Sequence, residues 1–405
     1  MKYFMKCIVH ICLLTAMASC VLLPMDRDSM ISRADTGRQN GRTAGFSSTG
    51  IYATGVGFED NYDWRRDTAY GKATGHVILF KGARPVMSVD AGEENEVSTD
   101  PDRHHYLKGH LYTEYTDGSL TVIKEDGKEV CRYEGCQMMI GMVCQDSDIY
   151  VLSRGMKGEG LTLRKNWDIV LNLDGCGACG GMDDPSYGPS GALYIDEGKV
   201  CFAYHAKAED VKDTSWHLIS GTDDKEIEIP KEISTVCDVR SMDGSLYIAG
   251  LHDDGRTPVL SEDGTVKIYK GSTNLNGDLR LMKDENGEAC MSGTFIMNNI
   301  STEYTVIYTA DGNKKFRTFD CRCCNGEYWL AMRAGTALRL HSPEGDMEIT
   351  DGYRMLSCSC IAWRDGGAVI ALTPVEADHN PAIWDNGEMT ELKLNGYLTS
   401  VTVVD

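Results

Sequence analysis

Basic residues are scarce in this sequence relative to acidic ones, and that shortage limits the partners it can have. The 405 residues include 40 Lys and Arg against 61 Asp and Glu, which gives a formal net charge of −21 at pH 7. Nucleic-acid binding depends on clustered Lys and Arg that displace counterions from phosphates, and no basic stripe is present. The composition therefore argues against nucleic acid and against anionic membrane surfaces as partners.

Long apolar runs are missing after the first residues, so the sequence predicts no membrane-spanning helix. The N-terminal apolar stretch runs to Leu23, carries His10 and falls short of the ~20 residues that a span needs. Lys2 and Lys6 stand at its start, which is the pattern of an export signal. Residues 1–19 are therefore predicted to be a signal peptide.

Small residues precede Cys20 at the end of this stretch, in the order Met17-Ala18-Ser19-Cys20. The order resembles the bacterial lipoprotein box, with Met17 where Leu is usual, and it implies cleavage before a lipidated Cys20. Ala16-Met17-Ala18 is the competing site, for an ordinary signal peptidase. The prediction is an exported protein of a bacterial cell envelope, joined to the outer membrane only through a lipid on Cys20 and a tether over residues 20–48.

Recognised catalytic and metal-binding motifs are missing too. The sequence has no Gly-x-Ser-x-Gly elbow, no His-Glu-x-x-His and no EF-hand loop. A sialidase box begins at Ser261-Glu262-Asp263-Gly264, but its Gly comes one place early and no Trp follows. Cys176 and Cys179 form a Cys-x-x-Cys, but no second pair follows at the spacing of a zinc site. No catalytic residue, metal site or cofactor is predicted.

Proline is sparse, at 10 residues, whereas glycine is abundant, at 43, which favours many tight turns over disordered linkers. Eight short apolar segments, each with a large or sulfur-bearing residue at or next to its centre, recur roughly every 43 residues. They are Ile51-Tyr52-Ala53, Leu111-Tyr112-Thr113, Ile149-Tyr150-Val151, Val200-Cys201-Phe202, Leu246-Tyr247-Ile248, Ala289-Cys290-Met291, Tyr328-Trp329-Leu330 and Val369-Ile370-Ala371.

Each segment lies between turn signals that predict four antiparallel strands per repeat. A turn such as Asp243-Gly244 precedes the segment, and a turn such as Asp126-Gly127, Asp263-Gly264 or Asn386-Gly387 follows one strand later. Asp-Gly and Asn-Gly favour hairpins because a type I′ turn needs positive φ at both central residues. Four such strands form a propeller blade. The predicted fold is all-β, a β-propeller of eight four-stranded blades over residues 49–405, with seven blades as the alternative if residues 319–352 merge with a neighbour.

The two ends of the repeat region suggest how the ring closes. The first repeat begins with a second strand at Ile51, with no first strand before it. The sequence ends in an apolar strand, Leu398 to Val404, that no turn follows. The C-terminal strand is therefore predicted to become the innermost strand of the first blade.

Two elements resemble the repeats of secreted and lipoprotein β-propellers of the Bacteroidetes type. They are Leu246-Tyr247-Ile248-Ala249-Gly250 and Ile383-Trp384-Asp385-Asn386-Gly387. The resemblance covers about residues 50–405. It implies the propeller architecture and carries no activity with it, because a fold does not supply a function.

Long connections are predicted on one face of the ring and short Gly turns on the other. The long connections are residues 58–75, 90–108, 175–192, 205–214, 295–304 and 373–380. Long loops on a rigid scaffold commonly carry binding residues. Trp beside two Arg suits stacking on a sugar or clamping a carboxylate, and His can act near neutral pH. The candidate ligand-binding residues are Trp64, Arg65, Arg66, His104, His105, Asp183, His205 and His379.

The sequence leaves two functions open. The first is a monomeric, envelope-tethered binding or scaffold module that presents the long-loop face to a protein, peptide or glycan. The second is a propeller hydrolase or lyase that acts on carbohydrate or peptide at the mouth of the channel. The missing catalytic motifs favour the first, and convergence of the candidate residues in one pocket would favour the second.

Overall fold

The computed structural model describes the greater part of the predicted repeat region. Its described residues are 50–59, 64, 75–90, 96–97, 103–117, 120–133, 137–155, 160–178, 192–206, 214–269, 275–283, 288–297, 302–309, 312–316, 322–324, 327–334, 337–342, 345–356, 360–364, 367–375 and 379–404. The predicted signal peptide, Cys20 and the predicted tether lie outside these residues. Within the described part of the chain, no helix is long and apolar enough to cross a membrane.

The described strands form eight antiparallel sheets, numbered in chain order. Sheet 1 contains β1 (Gly50–Gly57), β2 (His76–Lys81), β3 (Arg84–Asp90) and the last strand, β35 (Gly396–Val404). Sheet 2 contains β4 (Glu96–Val97), β5 (His104–Leu107), β6 (His110–Asp117), β7 (Leu120–Glu125) and β8 (Lys128–Tyr133). Sheet 3 contains β9 (Gln137–Gln145), β10 (Asp148–Gly155), β11 (Gly160–Lys165) and β12 (Asp168–Asp174). Sheet 4 contains β13 (Cys176–Ala178), β14 (Tyr194–Asp196), β15 (Lys199–Ala206), β16 (Trp216–Ser220) and β17 (Asp223–Ile227).

The second half of the chain repeats this organisation. Sheet 5 contains β18 (Thr235–Met242), β19 (Ser245–Leu251), β20 (Pro258–Glu262) and β21 (Thr265–Ile268). Sheet 6 contains β22 (Leu275–Lys283), β23 (Ala289–Met297), β24 (Thr302–Thr309) and β25 (Gly312–Phe316). Sheet 7 contains β26 (Arg322–Cys324), β27 (Glu327–Ala334), β28 (Ala337–Ser342) and β29 (Gly345–Asp351). Sheet 8 contains β30 (Tyr353–Arg354), β31 (Ile361–Arg364), β32 (Gly367–Pro374), β33 (Ala382–Asp385) and β34 (Glu388–Glu391).

All eight repeated segments lie on the second strand of a sheet, where pairing occurs on both sides. In sheet 8 this strand is buried without interruption from Ala368 to Leu372, whereas the outer strand β34 is exposed throughout. A strand that is buried on both faces needs apolar residues at consecutive positions. This explains why the segments read as continuous apolar runs instead of alternating ones.

The sheets differ from the predicted four strands in one respect. Sheets 2, 4 and 8 have five strands because their first strand is split into two short pieces that both pair with the second strand. In sheet 2 the two pieces are β4 and β5, and both lie within residues 90–108, for which the sequence predicts a loop. His104 and Tyr106 are buried on one face of β5. The sequence pattern did not indicate this short alternating strand because the residues around it are polar.

The short turns have the predicted geometry. Asp126 and Gly127, Asp263 and Gly264, and Asn386 and Gly387 all have positive φ, as a type I′ turn requires. The first residue of each turn also bonds the start of the second strand through its side-chain oxygen. The acceptors and donors are Asp126 Oδ1 with Leu111 N, Asn166 Oδ1 with Ile149 N, Asp263 Oδ1 with Leu246 N, and Asn386 Oδ1 with Ala368 N.

Replacing Asp263 tests this turn–strand junction. Asp263 Oδ1 accepts a hydrogen bond from Leu246 N at 2.9 Å, and the loss of one such bond costs about 1 kcal/mol. We expect Asp263→Ala to lower the free energy of unfolding by about that amount, measured by urea denaturation. Asp263→Asn is the matched control, because Asn already occupies this position in sheets 3 and 8. An equal loss in both variants would contradict the assigned role of the side-chain oxygen.

The cores lie between sheets and join them in sequence. One buried cluster joins sheets 1 and 2, and others join sheets 2 and 3, 3 and 4, 4 and 5, and 5 and 6. A further cluster joins sheet 8, through Val369 and Ala371, to Ala53 and Leu398 of sheet 1. The last strand, β35, is thus part of sheet 1 and packs against sheet 8.

Pairing of β35 with β1 is close and partly polar. The two strands pair over their full length, from Gly50 opposite Val404 to Gly57 opposite Gly396. A Cβ on Gly396 would lie 1.9 Å from the carbonyl oxygen of Val56, so only glycine fits there. Thr54, which is fully buried, bonds the Thr399 hydroxyl at 2.7 Å.

Buried carboxylates also link neighbouring sheets. Glu114 of sheet 2 is 1% exposed, and it accepts hydrogen bonds from Arg103 Nη1 and from Met139 N of sheet 3, both at 2.9 Å. Asp238 of sheet 5 accepts one from Leu281 N of sheet 6 at 2.9 Å. Each carboxylate satisfies a backbone N–H of the adjacent sheet, which fixes the position of that sheet.

Candidate functional site

The connections of sheet 4 distinguish its two ends. At one end, residues 197–198 join β14 to β15 and residues 221–222 join β16 to β17; we call this the short-turn end. At the other, β13 begins opposite the end of β15 and residues 207–215 join β15 to β16; we call this the long-loop end. In an antiparallel sheet, alternate connections fall at the same end, so the same names apply to every sheet.

Short turns of adjacent sheets lie side by side. The Asp196 carboxylate, next to the β14–β15 turn, accepts hydrogen bonds from the backbone N–H groups of Asp243 and Gly244 in sheet 5. The Gln145 side chain of sheet 3 donates to the Gly198 carbonyl of sheet 4. The short-turn ends of sheets 3, 4 and 5 therefore share one surface.

A carboxylate joins two aromatic side chains on one face of sheet 4. The Tyr204 hydroxyl donates to Asp224 Oδ2 at 2.8 Å, and His217 Nδ1 lies 3.0 Å from Asp224 Oδ1. Tyr204 and His217 are paired across β15 and β16 near the long-loop end, and their rings stack with centroids 4.8 Å apart. Burial, followed by the hydrogen bond to Asp224, raises the pKa of Tyr204 well above its usual value, so its hydroxyl remains a donor.

This arrangement fixes the orientation of His217. When Asp224 Oδ1 accepts this hydrogen bond, Nδ1 carries the hydrogen, and in the neutral imidazole Nε2 keeps its lone pair. The His217 side chain is 22% exposed and that of Asp224 is 45% exposed, so solvent and ligands reach them. A histidine held by a carboxylate in this way can accept a hydrogen bond or a proton through Nε2.

Cys176 lies beside these residues on β13, opposite Ala206 at the end of β15. Its thiol is half-buried and not in a disulfide. Burial, with smaller contributions from Asp174 and Asp224, raises the pKa of the Cys176 thiol. The thiol is therefore a poor nucleophile at neutral pH, and Cys179 lies outside the described residues.

The opposite face of the same sheet end carries His205 and Trp216. Their rings are paired across β15 and β16, with centroids 4.9 Å apart. Both side chains are half-buried. A Cβ on Gly177 would lie 2.6 Å from His205 Nε2, so the glycine leaves room for the imidazole. Trp216 also packs on the core shared with sheet 5, which gives the pair a rigid base.

The other predicted ligand-binding residues are spread over several sheets. Trp64 packs on Tyr397 of sheet 1, with ring centroids 5.4 Å apart. His104 is fully buried on β5, 6.5 Å from the Tyr115 ring, whereas the adjacent His105 is half-buried. His379 lies beside Tyr353 of sheet 8, at 5.5 Å. Arg65, Arg66 and Asp183 lie outside the described residues, and ligand binding by all eight stays a prediction.

The sequence pattern indicated His205 but not Tyr204, His217 and Asp224. These three belong to one site only because β15 and β16 pair in a register that places Tyr204 opposite His217. One signal for Tyr204 was the alternation of side chains along β15. It places Phe202 and Tyr204 on one face of the strand and His205 on the other. Placing Asp224 required the position of the β16–β17 turn as well.

The short-turn end has a small cavity. It has a volume of about 170 Å³ and lies between sheets 4 and 5, lined by side chains that include Asp196, Lys199, Lys225 and Ser241. Pockets that enclose small-molecule ligands are usually about 300–1,000 Å³. The Asp196 carboxylate is already occupied by backbone N–H donors. This cavity is therefore a weaker candidate than the long-loop end.

Comparison with known proteins assigns no family. No family model matches the chain, and no curated protein matches its sequence. Among solved structures, it is similar to dihydro-heme d1 dehydrogenase NirN in complex with DHE, at 12% identity over 87% of this chain and 75% of that one, with a TM-score of 0.48.

Two further structures have lower scores. The β-propeller domain of the Trilobed protease from Pyrococcus furiosus is 13% identical over 63% of this chain and 82% of that one, with a TM-score of 0.38. TolB from Acinetobacter baumannii is 16% identical over 74% of this chain and 80% of that one, with a TM-score of 0.33. All three TM-scores are below 0.5, so the function of this chain has to be inferred from its own sheets and contacts.

Proposed function

We propose that this chain is an eight-bladed β-propeller whose ring is closed by the C-terminal strand. The support is the order of packing: each sheet packs against the next, and the cluster around Leu398 joins sheet 8 to sheet 1. The alternative of seven blades requires residues 319–352 to merge with a neighbour. Against it, β26 to β29 form a four-stranded sheet of their own. A closed ring leaves no long unpaired edge, which protects an all-β protein from aggregation.

We further propose that the propeller is exported and held as a monomer at the outer membrane of a bacterial cell envelope. This rests on the sequence alone: Lys2, Lys6, the apolar stretch and Cys20. A lipid on Cys20, with residues 20–48 as a tether, would leave the propeller free to reach ligands.

The propeller's function, on this proposal, is to bind a glycan at the long-loop end of sheet 4. The observation that carries it is the Tyr204–Asp224–His217 arrangement, whose carboxylate and imidazole are partly exposed. Oriented and partly exposed polar groups suit a ligand rich in hydroxyl groups. The net charge of −21 opposes an acidic ligand, and a protein or peptide is the other class of ligand that the test can reveal.

A second candidate function is a hydrolase or lyase that acts on a carbohydrate or peptide. One observation favours it: His217 is oriented by Asp224 and keeps Nε2 available, which is the geometry of a general base. Such an enzyme would turn over a bound glycan, whereas a binding module would release it unchanged.

Replacing Asp224 tests the proposed site. Tyr204 and His217 bond different oxygens of Asp224, and Asn replaces one of these acceptors by an NH2 donor. Asp224→Asn should therefore weaken glycan binding by about tenfold, or about 1.4 kcal/mol. The measurement is a glycan-array screen of residues 45–405, followed by calorimetric titration of the glycans that bind. Asp223→Asn is the matched control: Asp223 is adjacent, exposed and on the same strand.

The outcomes separate the alternatives. Equal binding by wild type and Asp224→Asn would reject the site, and loss of binding only in an Arg65→Ala/Arg66→Ala variant would move it to residues 58–75. Binding of proteins or peptides with no glycan binding would reject the ligand class. Release of shortened products from a bound glycan would establish the enzyme, and His217→Gln should then abolish the release.

A further inference from the structure

Three metal-ligand side chains converge at the short-turn end of sheet 2, away from the proposed glycan site. His110 begins β6, Glu125 ends β7 and Asp126 opens the turn that follows. His110 Nδ1 lies 2.8 Å from Asp126 Oδ2 and 3.3 Å from Glu125 Oε1, and one ligand atom from each residue lies within 4.8 Å of the others. The sequence predicts no metal at these residues because His110 and Asp126 are 16 residues apart and match no recognised spacing.

The turn–strand junction fixes this geometry. Asp126 uses Oδ1 to accept the Leu111 N–H at 2.8 Å, which leaves Oδ2 directed at His110. The positive φ of Asp126 and Gly127 sets the turn. The carboxylate is therefore oriented by the backbone before any ligand arrives, as supporting hydrogen bonds orient the ligands of metal sites.

The same junction in sheet 3 differs in its charges. There the corresponding positions hold Asp148, Lys165 and Asn166, and Lys165 Nζ lies 2.7 Å from Asp148 Oδ2. A positive side chain thus balances the acid in sheet 3. In sheet 2 the corresponding positions are the acids Glu125 and Asp126, and among the described residues both pair with His110 and neither with Lys or Arg.

Distance and exposure both suit a metal ion. Two ligands at about 2.1 Å from one ion lie about 3 Å apart when they are adjacent in its coordination shell, which matches the 2.8 Å and 3.3 Å separations from His110 Nδ1. The side chains are 44%, 29% and 31% exposed for His110, Glu125 and Asp126. An ion can therefore enter from solvent and keep water at its remaining positions.

We propose that His110, Glu125 and Asp126 form a binding site for one divalent first-row transition-metal ion. One imidazole nitrogen and two carboxylates are ligands that Mn²⁺ and Zn²⁺ both accept, with Zn²⁺ bound more tightly. The ion would supply at this junction the positive charge that Lys165 supplies in sheet 3. It joins the β5–β6 side of the sheet end to the β7–β8 turn, and water completes its coordination.

Titration with Mn²⁺ tests the site, because Mn²⁺ competes poorly for the free cysteines of this chain. We expect residues 45–405 to bind one Mn²⁺ at this site, detected by electron paramagnetic resonance of the free ion, and Zn²⁺ to displace it. Asp126→Asn should weaken Mn²⁺ binding by about tenfold or more. Because Asn keeps the oxygen that accepts Leu111 N, as Asn166 and Asn386 do in sheets 3 and 8, this variant should keep its thermal midpoint without metal.

Asp263→Asn, at the same junction of sheet 5, is the matched control and should bind Mn²⁺ as wild type does. His110→Gln is a second variant that removes the nitrogen ligand and should lose binding in the same way. The proposal is overturned if the wild type binds no Mn²⁺ when protein and metal are each present at about 100 µM, which is well above a micromolar dissociation constant. It is also overturned if Asp126→Asn and His110→Gln bind as tightly as wild type.

Discussion

Deleting residues 396–405 should abolish cooperative folding of the chain. This segment holds β35, which pairs with β1 along its whole length and packs against sheet 8. Tyr397, Leu398 and Val401 are 6%, 0% and 5% exposed. Burial of each such side chain contributes about 1.5–3 kcal/mol, or about 5–9 kcal/mol together. The net stability of a folded protein is about 5–15 kcal/mol, so little or none would remain.

The measurement is thermal unfolding followed by circular dichroism and calorimetry. The truncated protein should lack a cooperative transition, and a synthetic peptide of residues 395–405 should restore one. Deletion of Val404 and Asp405 alone is the control: Val404 is half-buried at the end of β35, and most of the strand remains. A cooperative transition at the wild-type temperature after the full deletion would contradict the assigned role of β35.

Replacing Glu114 should cause a large loss of stability for a single substitution. Its carboxylate is 1% exposed and accepts hydrogen bonds from Arg103 and from Met139 N of the next sheet. Removing one partner of a buried ion pair costs about 3–5 kcal/mol, because the remaining groups have already lost their water. We expect Glu114→Ala to lower the free energy of unfolding by that amount, and Glu114→Gln by less, since it keeps an acceptor.

Glu129 provides a matched control on the same sheet. It pairs with Arg132 through two hydrogen bonds of 2.9 Å and 2.8 Å, but the two side chains are 44% and 41% exposed. An exposed pair of this kind contributes about 0–1 kcal/mol, so Glu129→Ala should change the urea midpoint only slightly. Equal effects of Glu114→Ala and Glu129→Ala would show that the link from sheet 2 to sheet 3 is not important for stability.

The all-β architecture was predictable because its signals are local. Asp-Gly and Asn-Gly turns define hairpins within a few residues. Strands that are buried on both faces have continuous apolar runs, such as Ala368 to Leu372. The split first strands were not predictable. In sheet 2, β5 reads as His-His-Tyr-Leu after charged residues, and only pairing with β6 shows that it is a strand.

The candidate site was predictable in part. The contrast between long and short connections indicated the long-loop end, and His205 was among the residues named from it. Tyr204, His217 and Asp224 were missed because their association depends on the register of β15 with β16 and on the turn after Ser220. Register is a tertiary property, since a shift of one residue would move each side chain to the opposite face.

An experimental structure of residues 45–405 tests the central proposal most directly. We expect eight sheets around a single axis, with Gly396–Val404 paired to Gly50–Gly57, the Tyr204 hydroxyl bonded to Asp224, and the His217 and Asp224 side chains open to solvent. Seven sheets, an open gap between the last and first sheets, or a C-terminal strand paired elsewhere would contradict the proposal.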